Sequence, residues 1–148
     1  MDSKDCTIMN ILLENSRLSY REIAKKAGCS VVTIINRIHE LEKNGIIKGY
    51  TATLDYEKIG YDVTALIKLR ISKGKLIEVE KKIAIHPNVS AIYDLTGDFD
   101  SLVLAKFRNR RSLDSFLKKI QTFDFVERTE TSLVLNTIKE KNIQIETT

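Results

Sequence analysis

Residues 29–45, CSVVTIINRIHELEKNG, decide how the first third of this chain folds. Val31, Ile34, Ile38 and Leu41 recur at i, i+3, i+7 and i+10, the spacing that puts one apolar stripe on a helix and turns it toward a core. The opposite face carries Val32, Thr33, Asn36, His39, Glu40 and Lys43, with Arg37 at its border. An isolated segment of this kind reads as an ordinary solvated helix. Its neighbours change that reading.

Ser30 stands at the N-cap position of the helix and Gly45 just past its end. Upstream, Ser19-Tyr20-Arg21-Glu22 is a capping box, in which the Ser hydroxyl accepts an orphan backbone N–H and the Glu returns the bond. The helix it starts turns Ile23, Ala24 and Ala27 inward and stops at Gly28, which adopts the left-handed cap conformation without strain. Asp2 caps an earlier helix, marked by Ile8, Ile11, Leu12 and Asn15 and ending near Ser16. A short helix, a turn of about three residues with a glycine, and a second helix form a helix-turn-helix unit. Residues 46–54 (IIKGYTATL) read as β-prone, and residues 55–62 as a polar linker with one glycine.

A chain of 148 residues fits one ordinary domain or two small ones. Hydrophobic content of 43% with 30% charged residues implies a soluble globular protein. No apolar run approaches the roughly 18 residues of a membrane span, and MDSKDCTIMN lacks a secretory signal's basic head and apolar body. Cys6 and Cys29 build no disulfide framework; they read as structural thiols in a reducing cytoplasm. The net charge of +4 permits nucleic-acid binding, but it divides evenly, +2 in residues 1–54 and +2 in residues 55–148. Charge alone does not assign DNA as the partner.

Beyond residue 62 the periodicity alternates between two and 3.6. Val63, Ala65, Ile67, Leu69 and Ile71 mark a strand; Leu76, Val79 and Ile83 a helix stopped by His86-Pro87. Residues 89–96 and 102–108 are two further strands, Ser112 caps a helix carrying Leu113, Phe116, Leu117 and Ile120, and residues 126–138 form the last strand. The two halves repeat: Lys68-Leu69-Arg70 aligns with Lys106-Phe107-Arg108, Lys82-Ile83 with Lys119-Ile120, and Val89 with Val126. A βαββαβ order built from two βαβ halves predicts a ferredoxin-like fold, a four-stranded antiparallel sheet with both helices on one face. The whole chain is thus α+β: a three-helix unit at 1–54, a linker at 55–62 and a ferredoxin-like domain at 63–148. Leu66, Ile92, Leu102 and Leu104 alternate onto the face without helices, where a second copy would cover them as a dimer interface, the alternative cover being the N-terminal domain or the C-terminal tail.

With Asp5, Ile8, Leu12, Asn15-x-Arg17, Glu22-Ile23-Ala24, Ser30, Arg37-Ile38, Leu41 and Asn44 to Tyr50 in this order, the sequence resembles the leucine-responsive regulatory protein/AsnC (Lrp/AsnC, feast/famine) transcription regulators. Thr96-Gly97-Asp98-Phe99-Asp100 and Val126 to Thr131 continue the resemblance, which covers nearly the whole chain. It implies a helix-turn-helix that binds a pseudo-palindromic promoter site in double-stranded DNA. It also implies a ferredoxin-like domain that senses a small amino-acid effector, and homodimers that assemble further, commonly to octamers. On that reading Ser30, Val32, Thr33, Asn36 and Arg37 meet the major groove: methyl groups on thymine, the Asn36 amide on adenine, Arg37 on guanine or a phosphate. Arg17, Arg21, Lys25 and Lys48 hold phosphates. TGDFD alone reads as a hairpin turn. The resemblance adds that its backbone N–H groups take an α-carboxylate and Asp98 or Asp100 an α-ammonium, with hydroxyls from Thr129, Thr131 or Ser132 of the last strand.

An enzyme is the competing class. The chain has no GxGxxG, P-loop or HExxH pattern, no motif-embedded nucleophile and no metal-ligand or cofactor signature. His39 and His86 read as surface histidines. A family branch with the same layout decarboxylates a haem precursor, for which the C-terminal half offers only His86. An architectural DNA-coating protein without an effector shares the helix-turn-helix, and DNA specificity separates it from a regulator.

Overall fold

The computed structural model describes residues 2–147. Its contacts divide the chain into two units, one running to Thr53 and including the segment from Lys139 onward, the other Leu54–Ile138. The last segment of the anticipated 63–148 domain thus belongs with the helices. The anticipated linker at 55–62 is part of the sheet unit: it carries a 3-10 turn at Glu57–Ile59, and Arg108 reaches it through the Ile59 carbonyl (3.2 Å) and the Tyr61 ring (4.6 Å).

The first unit holds α1 (Ser3–Glu14), α2 (Tyr20–Ala27) and α3 (Val31–Lys43). The Ser19–Glu22 capping box forms, and Asp2 makes a second one with Asp5. Asp2 accepts from the Asp5 N–H (2.9 Å), and Ser19 and Glu22 exchange bonds of 2.7 and 3.1 Å. The backbone bond to Ser19, then its hydroxyl, draws the Glu22 carboxyl below its ordinary range. Gly28 is left-handed (φ 65°), which lets α2 stop and α3 start within a few residues. Ile8, Ile23, Ala24, Ile34 and Ile38 form the core, and Leu41 is buried as well. Val31 is the exception to the stripe. It is 37% exposed because the first turn of α3 projects past this small core.

Residues 46–54 form no strand. The Ile46 and Ile47 N–H groups both turn back to the Leu41 carbonyl (2.9 and 3.1 Å), closing α3, and the segment meets no neighbouring strand among the described residues. Propensity without a ladder partner does not make a strand.

The second unit has β1 (Val63–Ile71), α4 (Leu76–Ala84), β2 (Val89–Asp94), β3 (Ser101–Phe107), α5 (Arg110–Gln121) and β4 (Val126–Leu133). The strands lie in the order β2-β3-β1-β4, all antiparallel, the ferredoxin-like arrangement. Alternate residues of β1 and β3 (Ala65, Ile67, Leu69; Val103, Ala105, Phe107) pack on Val79 and Ile83 of α4 and Leu113, Phe116 and Ile120 of α5. The repeat is visible in this core: Leu69 and Phe107 are buried, Ile83 and Ile120 are equivalent helix anchors, and Val89 and Val126 each open a strand.

Several boundaries move for local reasons. Asn109, not Ser112, caps α5; the Ser112 N–H and hydroxyl both bond Asn109 Oδ1 (2.9 and 3.1 Å). β4 stops at Leu133 because β1, its partner, runs out at Val63 and Thr64. A bulge between Val89 and Ala91 reverses the phase of β2, so Ile92 lies opposite Val103 and packs on the helix-side core rather than on the free face. Ala91 and Tyr93 take its place beside Leu104 and Leu102.

Candidate DNA-binding and effector sites

The outward face of α3 is open. Val32 is 66% exposed, and Asn36, His39, Glu40 and Lys43 are exposed. The Asn36 amide has no hydrogen-bond partner within the described residues, whereas Thr33 is committed: its N–H and hydroxyl both meet Ser30 Oγ (3.2 and 2.8 Å). Ser30 is therefore the cap that fixes the start of α3. Asn36 and Arg37 line a groove of about 570 Å³ with Asp5, Thr33, Glu40 and Ile46. Arg17, Arg21, Lys25 and Lys48 are exposed on the same unit.

Arg37 is engaged within its own unit. One guanidinium nitrogen, Nη1, lies 2.7 Å from Asp2 Oδ2 and 2.8 Å from Asp5 Oδ1. These two bonds raise the guanidinium's pKa further, while the Asp5 N–H and then Arg37 hold the Asp2 carboxyl below its usual range. Arg37 thus joins α3 to the first turn of α1 through one guanidinium nitrogen. Sequence reading placed it at the border of the wet face; the two carboxylates lie more than thirty positions upstream (|i−j| 35 and 32) and are brought to it only by helix packing. Beyond α3, Tyr50 donates to Glu42 Oε1 (2.8 Å), and burial followed by that carboxylate pushes the phenol up to about 12.

The 96–100 loop joins β2 to β3. The Leu95 N–H bonds the Asp100 carbonyl (2.9 Å) and Gly97 is left-handed (φ 100°), so the hairpin reading of the turn holds. Its two aspartates differ. Asp100 faces inward, Oδ2 accepting the Ile71 N–H at 2.7 Å while its own N–H bonds the Leu69 carbonyl (2.8 Å). Thr96 and Asp98 are exposed. Phe99 lies between two cations, Lys68 Nζ at 5.8 Å and the Arg128 guanidinium at 5.3 Å from its centroid. Neither cation was singled out from the sequence; their signal was the alternation of β1 and the register that pairs Lys68 with Glu130 and Arg70 with Arg128. Thr131 and Ser132 do not converge: Ser132 lies opposite Leu66 on the free face, Thr131 opposite Ile67 on the helix side, as does Thr129 opposite Leu69. Ser101 Oγ, at the start of β3, and Glu80 Oε1 of α4 are buried without a hydrogen-bond partner among the described residues. Burial, and after it the Asp94 carboxylate, raises the Glu80 carboxyl.

His39 is exposed as anticipated, but His86 is not a surface residue. It is half-buried with its ring 4.6 Å from Phe116, and its Nδ1 accepts the Asn88 N–H (3.2 Å). Burial, with Lys119 second, lowers its pKa. The described residues contain no group of three or more His, Cys, Asp or Glu side chains placed to hold a metal, and no helix long and apolar enough to cross a membrane.

Comparison with known proteins agrees with this two-unit layout. Residues 1–42 match the AsnC-type helix-turn-helix domain, and residues 64–143 the Lrp/AsnC ligand-binding domain. An uncharacterised HTH-type transcriptional regulator of Pyrococcus furiosus is 46% identical over 140 residues, 95% of each chain. The HTH-type transcriptional regulator FL11 of Pyrococcus horikoshii is 37% identical over 95% of this chain and 93% of its own. Among solved structures, a transcriptional regulator from Neisseria meningitidis in complex with L-Met matches with a TM-score of 0.92 and 27% identity, covering 99% and 96% of the two chains. AsnC of E. coli matches at 0.90 and 28%, covering 98% and 99%. The chain belongs to the Lrp/AsnC family of transcriptional regulators, an AsnC-type DNA-binding unit followed by a ligand-binding domain.

Proposed function

We propose that the protein regulates transcription by binding a pseudo-palindromic promoter site as a homodimer, and that a small amino acid held at the 96–100 loop modulates this binding. The observation that carries the DNA reading is the outward face of α3, where Val32 and Asn36 are exposed and unengaged while Ser30 and Arg37 fix the helix at its start and side. Val32 and Asn36 read bases, with Thr33 beside them, and Arg17, Arg21, Lys25 and Lys48 hold phosphates. Arg37 positions the reading helix.

The effector reading is supported by the loop's division of labour. Asp100 builds the turn, Gly97 opens it, and the exposed Asp98 is the carboxylate free to take an α-ammonium. A similar regulator binds L-Met, so a zwitterionic amino acid is the effector class to try first. Leu66, Leu102 and Leu104, joined by Ala91 and Tyr93, form the face on which a second copy packs, and dimers assemble further. A cytoplasmic location and the absence of catalysis or a cofactor belong to the same proposal.

The test is binding of the purified protein to a labelled fragment of its own promoter, at fixed salt and with excess non-specific competitor, with each of the twenty amino acids in turn. A specific complex whose affinity or stoichiometry changes with one amino acid supports both halves. A specific complex indifferent to all twenty rejects the effector. Equal competition by any DNA replaces the regulator with an architectural coating protein.

A further inference from the structure

The C-terminal segment does not end with the sheet. The last sheet bond is donated by the Val134 N–H to the Thr64 carbonyl (2.9 Å), after which the chain continues without helix or strand. At Ile145 it is caught. Asn10 of α1 donates through Nδ2 to the Ile145 carbonyl (2.9 Å) and accepts the Ile145 N–H on Oδ1 (2.8 Å). One side-chain amide thereby satisfies both backbone groups of one residue, as a neighbouring strand would. One residue on, the Glu146 carbonyl lies 3.7 Å from Cys6 Sγ, one helical turn before Asn10. The intervening residues 140–144 line a groove of about 730 Å³ with Asn10, Leu13, Glu14 and Thr53.

We infer that the face of α1 bearing Cys6 and Asn10 is a receptor that reads an extended peptide through its main chain, and that residues 140–146 of the same chain are its occupant. The recognition is of backbone, since both Asn10 bonds go to main-chain atoms and the Ile143 side chain stays 80% exposed. The docked segment is a second tether. The chain passes between the two units once at Thr53–Leu54 and again after Ile138, so docking at Ile145 closes a loop that one connection alone would leave open. The helix it grips is also the helix that Arg37 fastens to α3. The tether's regulatory meaning rests on the proposed function; the docking itself does not.

Hydrogen exchange of the full-length protein, without DNA or amino acid, tests the docking separately. The Ile145 amide, bonded to Asn10, is expected to be protected, and Asn10→Ala to speed its exchange roughly ten-fold, the effect of losing a hydrogen-bonded anchor. Ile145→Pro removes only the N–H donor in an exposed segment and leaves α1 intact; it is expected to speed trypsin cleavage at Lys139 and Lys141 by a similar factor. Exchange at free-chain rates in the unmodified protein, or variants that leave protection and cleavage unchanged, overturns the inference. Protection that falls on dilution assigns the groove to another copy's tail and overturns docking within one chain.

Discussion

Asn36 offers the sharpest test of the DNA-reading face. Its amide is exposed and makes no hydrogen bond within the described residues, and its helix is held by Ser30 at the start and by Ile34, Ile38 and Leu41 below. Asn36→Ala therefore removes no folding contact, and alanine is the better helix former, so thermal stability should hold or rise by a few tenths of a kcal/mol. In the complex the same change removes a donor–acceptor pair worth about 1–3 kcal/mol against the wrong base. That is roughly 5- to 150-fold per half-site, and for two independent half-sites of a dimer about 2–6 kcal/mol. Competition binding at constant salt separates this loss from general weakening: specific affinity falls, non-specific affinity and the salt slope stay put. A specific-to-non-specific ratio unchanged within about two-fold would refute the assignment of base reading to Asn36.

Arg37→Ala should behave oppositely, lowering the melting temperature and weakening specific and non-specific DNA binding together with little change in their ratio; a selective loss of specificity would return Arg37 to the bases. Ile34→Ala, at 0% exposure in the small helical core, should cost about 2–5 kcal/mol and melt the DNA-binding unit while the sheet keeps its circular dichroism, measured by thermal denaturation. Leu104→Lys, on the free face opposite Leu66, should convert the assembly to monomers by sedimentation, and persistence of the dimer would move the interface elsewhere. The His86 pKa is lowered in the fold, so the unfolded chain takes up the proton first as pH falls. Its contribution to stability should be complete above about pH 6.5 and decline below it, a slope that His86→Phe flattens in melts taken from pH 7.5 to 5.

What the sequence disclosed was whatever depends on near neighbours along the chain. The cap at Asp2, the capping box at Ser19, the left-handed stop at Gly28, and the α3 stripe from Ile34 onward are local, and each formed as read. So did the period-two strand from Val63 to Ile71 and the two βαβ halves. The misreadings share one cause, a partner distant in sequence. Residues 46–54 have strand propensity and no ladder; Ile92 changes face because a bulge set by pairing with β3 reverses its phase. The partners of Arg37 were hidden for the same reason, since Asp2 and Asp5 adjoin it only after α1 packs on α3. Lys68 and Arg128 received no site role from the sequence because they meet at Phe99 only through the pairing of strands.

The 96–100 loop shows how those distant partnerships bear on regulation. Asp100 is spent on the Ile71 N–H, which fixes the loop to the end of β1, and Phe99 is held between Lys68 and Arg128. Lys68 lies opposite Leu102 in the register, one position from the apolar patch of Leu66 and Leu104 where the proposed dimer forms. A carboxylate arriving at the loop meets these two cations as well as the turn's N–H groups, and pairing with either one weakens its hold on the Phe99 ring. The ring and the apolar patch are then no longer independent: an effector that draws Lys68 or Arg128 toward itself alters the border of the surface through which copies associate. On the proposed function effector and assembly would be linked through that border, and the amino acid that changes DNA binding should then, by reciprocity, be bound with a different affinity by the assembled and the dissociated protein.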